Sequence, residues 1–149
     1  MPRVTERQYR QLLEFRVALR KFHKWSESQA GDIGLTPAQH QLLLAVRGHS
    51  DQRGPTIGEV ADYLLLRHHS AVELIDRAVT AGLVVRVGDP ADGRVIRVQL
   101  SALGRSRVDD LGPLHLQELR RLAPLLHHLV DAEDGAAEST STALHASPS

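Results

Sequence analysis

Residues 64–100, LLLRHHSAVELIDRAVTAGLVVRVGDPADGRVIRVQL, narrow what this chain can fold into more than any other stretch. Ala71, Leu74, Ile75 and Ala78 recur at i, i+3, i+4 and i+7, the spacing of one buried helix face. Arg67, His68, Ser70, Glu73, Arg77 and Thr80 fall on the other face, and all can hydrogen-bond. Gly82 stands where a helix ends on a residue free to turn left-handed. The remainder alternates with strand period: Leu83, Val85 and Val87, then Val95, Arg97 and Gln99 interleaved with Ile96, Val98 and Leu100. GDPADG, between the two runs, is a cluster of turn formers. The stretch therefore reads as a helix followed by a two-stranded hairpin. A helix with one apolar and one donor-rich face fits the major groove of a duplex, and a ribbon beside it reaches the neighbouring backbone or minor groove.

The preceding segments supply short helices for this pair to pack on. From about Thr5 to Gln29 the spacing is helical, with Leu12, Phe15, Leu19 and Phe22 on one stripe and Trp25 near its end. The stripe reads as helix packing; the alternative is that Phe22, His23 and Trp25 line a ligand pocket. Gly31 and Gly34 break the chain. Thr36-Pro37-Ala38-Gln39 then opens a helix to about Arg47, with Thr as N-cap, Pro at N1 and Gln at N3. Thr56-Ile57-Gly58-Glu59 is a second capping box, opening a short helix through Leu64. Three short helices and a hairpin, in that order, make a winged helix-turn-helix.

After the hairpin, Ser101 caps a further helix. Gly112-Pro113 is expected to interrupt it, and Pro124 to divide it, one helix ending near Leu122 and another starting at Pro124. Leu119, Leu122, Leu126 and Leu129 form a heptad-like seam. A small winged domain does not need that seam for its own core, so a partner helix is expected, most economically from a second copy. Packing within the chain is the alternative. The expected fold is mainly α with a small β-hairpin wing. It comprises an N-terminal dimerisation helix (5–34), a winged helix-turn-helix (35–100), C-terminal dimerisation helices (101–133) and a disordered tail (134–149).

Formal net charge is zero, yet the charge is unevenly placed. Residues 64–107 hold seven Arg against four acids, and the last nineteen residues hold four acids and no Lys or Arg. A basic body and an acidic tail cancel in the sum but not in the local field. There is no cysteine, which excludes disulfides and thiolate metal sites. No apolar run approaches the roughly 20 residues of a membrane span, and the N-terminus lacks a signal-peptide core. A cytoplasmic, nucleoid-associated protein is the expectation. No phosphate loop, G-x-S-x-G or H-E-x-x-H is present, so no enzyme is expected. His68-His69 and His127-His128 are adjacent pairs, pointing about 100° apart on a helix, a poor chelate geometry. No metal and no cofactor are expected.

The order of elements resembles the MarR family of bacterial transcription regulators. The resemblance is carried by LTPAQHQLLLAV at 35–46, TIGEVADYL at 56–64, SAVELIDRAVTAGLVVR at 70–86 and DPADGRVIRVQLSALG at 89–104. The last includes a D-x-R wing element, Asp92-Gly93-Arg94, and a closing Leu100-Ser101 through Gly104. It implies a two-fold dimer built from the terminal helices, with recognition helices in the major groove and wing tips near the minor groove. It also implies a repressor that leaves DNA when a small, often aromatic and anionic, ligand binds.

The candidate DNA-binding residues are Arg67, His68, His69, Ser70, Glu73, Arg77, Arg94 and Arg97. Arg94, as a wing-tip cation, suits a narrow minor groove or a phosphate, its alternative being an ion pair with Asp92. Asp76 and Asp92 read as structural supports of the wing, Asp76 through Arg86 or Arg94. Arg16, Trp25, His40 and His115 are candidate ligand-binding residues. Leu12, Phe15, Leu119, Leu122, Leu126 and Leu129 are candidate dimer contacts. The partners so inferred are double-stranded DNA, a second copy and a small-molecule effector, with no membrane. The competing reading is a winged-helix protein–protein module that has lost DNA binding, for which Glu73 and Gly93 speak. A metal-responsive sensor is the remaining alternative.

Overall fold

The computed structural model describes the backbone of residues 1–141 and the side chains of residues 1–131. In chain order the elements are α1 (Glu6–Asp32), α2 (Pro37–Gly48), α3 (Ile57–Leu64), α4 (His68–Thr80), β1 (Val84–Gly88), β2 (Ile96–Leu100) and α5 (Ala102–Ser141). The chain divides into two compact units, Ser26–Leu114 and Met1–Trp25 with His115–Ser149.

In the Ser26–Leu114 unit the helix starts are fixed by reciprocal side-chain caps. The Thr36 hydroxyl accepts from Gln39 N at 3.1 Å, and the Gln39 side chain accepts from Thr36 N at 3.0 Å. Thr56 and Glu59 repeat the arrangement at 3.2 and 3.1 Å. Each box satisfies two N–H groups that the first turn leaves without partners. The helices then bury their predicted faces. Leu42, Leu43 and Val46 of α2, Val60 and Ala61 of α3, and Ala71, Leu74, Ile75 and Ala78 of α4 meet Leu83, Val84, Val98, Val108 and Leu111 in one core. β1 and β2 pair antiparallel with Val84 opposite Leu100 and Gly88 opposite Ile96. A single bridge from Thr56 to Arg97 joins the start of α3 to β2.

Two glycines make this packing possible. A Cβ at Gly54, whose φ is +91°, would lie 2.0 Å from the Val98 carbonyl oxygen. A Cβ at Gly104 would lie 2.0 Å from the Leu83 carbonyl oxygen, with Leu43 behind it. Ser101 caps α5 as expected, its Oγ accepting from Gly104 N at 3.0 Å.

The unit formed by Met1–Trp25 and His115–Ser149 is of another kind. Among its described side chains, 1–25 and 115–131, none is buried. A third cap, unforeseen although the T-x-x-Q spacing announces it, starts α1: Thr5 and Gln8 exchange bonds at 2.8 and 3.2 Å.

The expected breaks in the last helix need correction. α5 is assigned as one helix from Ala102 to Ser141, through Gly112, Pro113 and Pro124. Each proline withholds one N–H from the carbonyl four residues back, Asp109 for Pro113 and Arg120 for Pro124. Both prolines and both of those residues are exposed, so water can take the place of the lost bonds. The expected tail, 134–149, falls partly in α5, to Ser141, and partly, 142–149, outside the described residues.

Candidate nucleic-acid interface

α4 presents the polar face that its sequence pattern requires. Arg67, His68, His69, Glu73, Arg77 and Thr80 are exposed and Ser70 is half-buried, while Ala71, Leu74, Ile75 and Ala78 are buried behind them. Arg67 occupies the N-cap in extended conformation but makes no side-chain cap bond. The first N–H groups of α4 are therefore left to an outside acceptor, and a helix N-terminus favours an anion. Ser70 lies inside the helix, not at its cap.

The wing is braced at three points. Asp76 on α4 pairs with Arg86 on β1, so the recognition helix and the first wing strand are tied together. At the tip, Asp92 Oδ1 accepts from Arg94 N at 3.1 Å and from Arg94 Nε at 3.2 Å. The Arg94 side chain is nonetheless 92% exposed, so the brace sets its direction without covering it.

The third brace is the one that sequence reasoning missed, and it reassigns Arg97. This side chain is only 14% exposed. Its Nε donates to Asp89 at 2.7 Å and its NH1 to the Gly54 carbonyl at 2.9 Å. Arg97 thus faces the loop between α2 and α3, and a guanidinium so enclosed is poorly placed for a phosphate. Asp89 also accepts from Ala91 N at 2.8 Å, which shapes the wing turn. The bond from Arg97, followed by the backbone N–H groups of Ala91 and Asp92, holds the Asp89 carboxyl below the usual carboxylate range. In the loop, Arg53 donates to Asp51 through both Nε and NH2 and lies 3.6 Å from Asp89. The side-chain bond from Arg53 is the main cause that pushes the Asp51 carboxyl far down. The D-x-R of Asp51-Gln52-Arg53 repeats the spacing of Asp92-Gly93-Arg94, and that echo was the available signal.

Residues 33–95, from the end of α1 through the wing tip, match the model of the MarR family. That segment, which holds α2, α3, α4 and most of the wing, is similar to the MarR family. The likeness of fold extends beyond the matched segment. AbsC of Streptomyces coelicolor, described as a MarR family transcriptional regulator, superposes with a TM-score of 0.68 at 19% identity, covering 95% of this chain and 99% of that one. The S. aureus MepR–DNA complex superposes with a TM-score of 0.67 at 16% identity, covering 94% and 99%. In sequence, the LexA repressor of Magnetococcus marinus is 31% identical over 81 residues. That match covers 53% of this chain and 34% of the relative, so the chain spans about a third of that relative's length.

Of the ligand candidates, two come together in the unit formed by Met1–Trp25 and His115–Ser149. The Trp25 and His115 rings lie 4.9 Å apart, and Phe22 meets His115 edge-on at 5.9 Å. Phe22, Trp25 and Lys21 of α1 line a hollow of about 800 Å³ with Leu122 and Leu125 of α5. Arg16 is exposed and not among the lining residues, and His40 is buried in α2 of the other unit. Of the candidate dimer contacts, Leu12, Leu119 and Leu126 are exposed by 43%, 45% and 50%, and Phe15, Leu122 and Leu129 are half-buried. Among the described residues no group of three or more His, Asp or Glu could hold a metal, and no helix is long and apolar enough to cross a membrane.

Proposed function

We propose that two copies of this chain form a dimer that binds a specific double-stranded DNA operator and represses transcription until a small ligand releases it. The observation that carries the reading is the outer face of α4, polar and exposed from Arg67 to Thr80, with the uncovered Arg94 at the tip of a braced wing. Arg67, His68, His69, Ser70, Glu73 and Arg77 lie within reach of base edges and phosphates in a major groove, and Arg94 reaches the adjacent minor groove. The DNA in the MepR complex supports this use of the fold.

The second copy follows from the helical unit. Leu12, Leu13, Val17, Leu116, Leu119, Leu126 and Val130 are all at least 37% exposed there, on helical segments, within 1–25 and 115–131, that hold no buried side chain. Covering such side chains contributes about 25 cal/mol per Å² of apolar surface. The hollow beside Trp25 suits an aromatic acid, its ring against Phe22 and Trp25 and its carboxylate toward Lys21.

Fluorescence anisotropy with DNA upstream of the chain's own gene tests the binding, and analytical ultracentrifugation tests the pairing. The expected results are a salt-sensitive complex of two chains per site and a dimer in the free protein. A folded protein that binds no such DNA at low salt, or that stays monomeric at binding concentrations, overturns the reading. Benzoate is the first probe for release; it is expected to raise Tm and weaken the DNA complex.

A further inference from the structure

We propose that a second cavity, at the root of the wing, binds a small, polar, anionic metabolite through Arg105. The cavity lies in the Ser26–Leu114 unit, between the α2–α3 loop, β2 and the first turns of α5, and measures about 610 Å³. That is the size of small-molecule sites, which run from about 300 to 1,000 Å³. Its walls are mostly polar, Val46 and Leu100 being the apolar exceptions. An apolar ligand would therefore strand polar groups, and an anionic one would not.

The charges in the wall decide the sign. Arg47 Nε is held by Asp109 at 3.0 Å. Asp51 is matched by Arg53, which donates to both of its oxygens. His49 turns Nδ1 to the Tyr63 hydroxyl at 2.7 Å and Nε2 toward Glu59 at 3.5 Å. Gln99 donates its amide to the Arg53 carbonyl at 3.0 Å. Arg105 is exposed and has no carboxylate partner among the described residues. The wall therefore holds one unmatched guanidinium, with Ser50 and Gln52 as further donors. A guanidinium is a planar, multiple donor suited to carboxylate or phosphate oxygens. This site shares no lining residue with the hollow beside Trp25, and none with the outer face of α4.

The test uses the full chain without DNA. Citrate and inorganic phosphate, as separate probes, are titrated while backbone amide shifts are followed by NMR. Saturable shifts confined to residues 50–54, 99–100 and 105 are expected for at least one probe, and which probe saturates tells carboxylate from phosphate. Arg105→Gln is expected to weaken that binding at least tenfold, and Arg94→Ala to leave it unchanged. The Arg105 guanidinium makes no internal bond among the described residues, so an unchanged Tm confirms that the variant folds. Shifts spread over α4 and the wing, binding indifferent to Arg105→Gln, or no saturation by about 10 mM would overturn the proposal. So would an Arg105→Gln variant that loses DNA affinity while keeping the anion, since the cation would then belong to the DNA backbone. A wild type that binds the anion but no DNA would overturn the reading of function and leave this site standing.

Discussion

Leu65 is the one non-glycine residue of the described chain with positive φ, at φ 54° and ψ 42°. It ends α3, and the closing bonds run from Leu66 N to the Ala61 carbonyl at 2.9 Å and from Leu65 N to the Asp62 carbonyl at 3.4 Å. Glycine or asparagine usually occupies this position, because an L side chain there crowds the following carbonyl at a cost of about 1–2 kcal/mol. Leu65 is 92% exposed, so removing its side chain forfeits almost no packing. Leu65→Gly should recover the conformational cost and lose about 0.4–1 kcal/mol through a freer unfolded chain, a net gain of about 0.5–1 kcal/mol. Leu65→Asn should do as well or slightly better, since Asn tolerates this region without that loss. At about 2–4 °C per kcal/mol for a chain of this size, either change raises Tm by about 2 °C in scanning calorimetry. Leu65→Ala keeps the Cβ and should leave Tm where it is. If Ala matched Gly, the backbone argument would fail, and the exposed side chain itself would be the cause. If Gly lowered Tm by several degrees, Leu65 would be packing against something in the assembled protein.

Gly104→Ala should destabilise the Ser26–Leu114 unit by about 3 kcal/mol, because the new methyl meets the Leu83 backbone; urea titration checks this, and a wild-type midpoint would refute it. Arg94→Ala should weaken operator binding and flatten the dependence of log affinity on log salt by about one unit, read by anisotropy across a salt series. The wing anchor should fail in acid. Asp89 and Asp51 have lowered carboxyl pKa values in the folded chain, so their contribution is present above the unfolded Asp value of about 3.9 and is lost as pH falls below it. Amide signals of residues 89–97 should hold through about pH 4 and broaden only as pH falls through the lowered Asp89 value, and Asp89→Asn should remove that transition.

Much of this architecture was legible in the sequence because its signals are local. The caps at Thr36 and Thr56 act within three residues, and the apolar period of α4 tells which face is covered. The Asp76–Arg86 and Asp92–Arg94 pairs lie within ten residues of each other along the chain. What escaped was long in range. Arg97 alternates onto a strand face that reads as outward, yet it meets Gly54, which is 43 positions away. Nothing in the periodicity of either segment encodes that meeting. The uninterrupted α5 was misjudged because proline is a local signal of interruption, and exposure, which relieves it, depends on the packing around the helix. In the sequence Arg105 is only one of the seven Arg between residues 64 and 107, since an unmatched cation is defined by what its neighbours already hold.

Gly54 and Pro55 are buried, although they belong to a connecting loop. Surface connections ordinarily drift freely in length and composition between relatives. Here the usual freedom is withdrawn. A single inserted residue, or a side chain at position 54, would be felt at the far end of the hairpin. A scan of insertions along the chain should find this stretch as intolerant as the middle of a core strand.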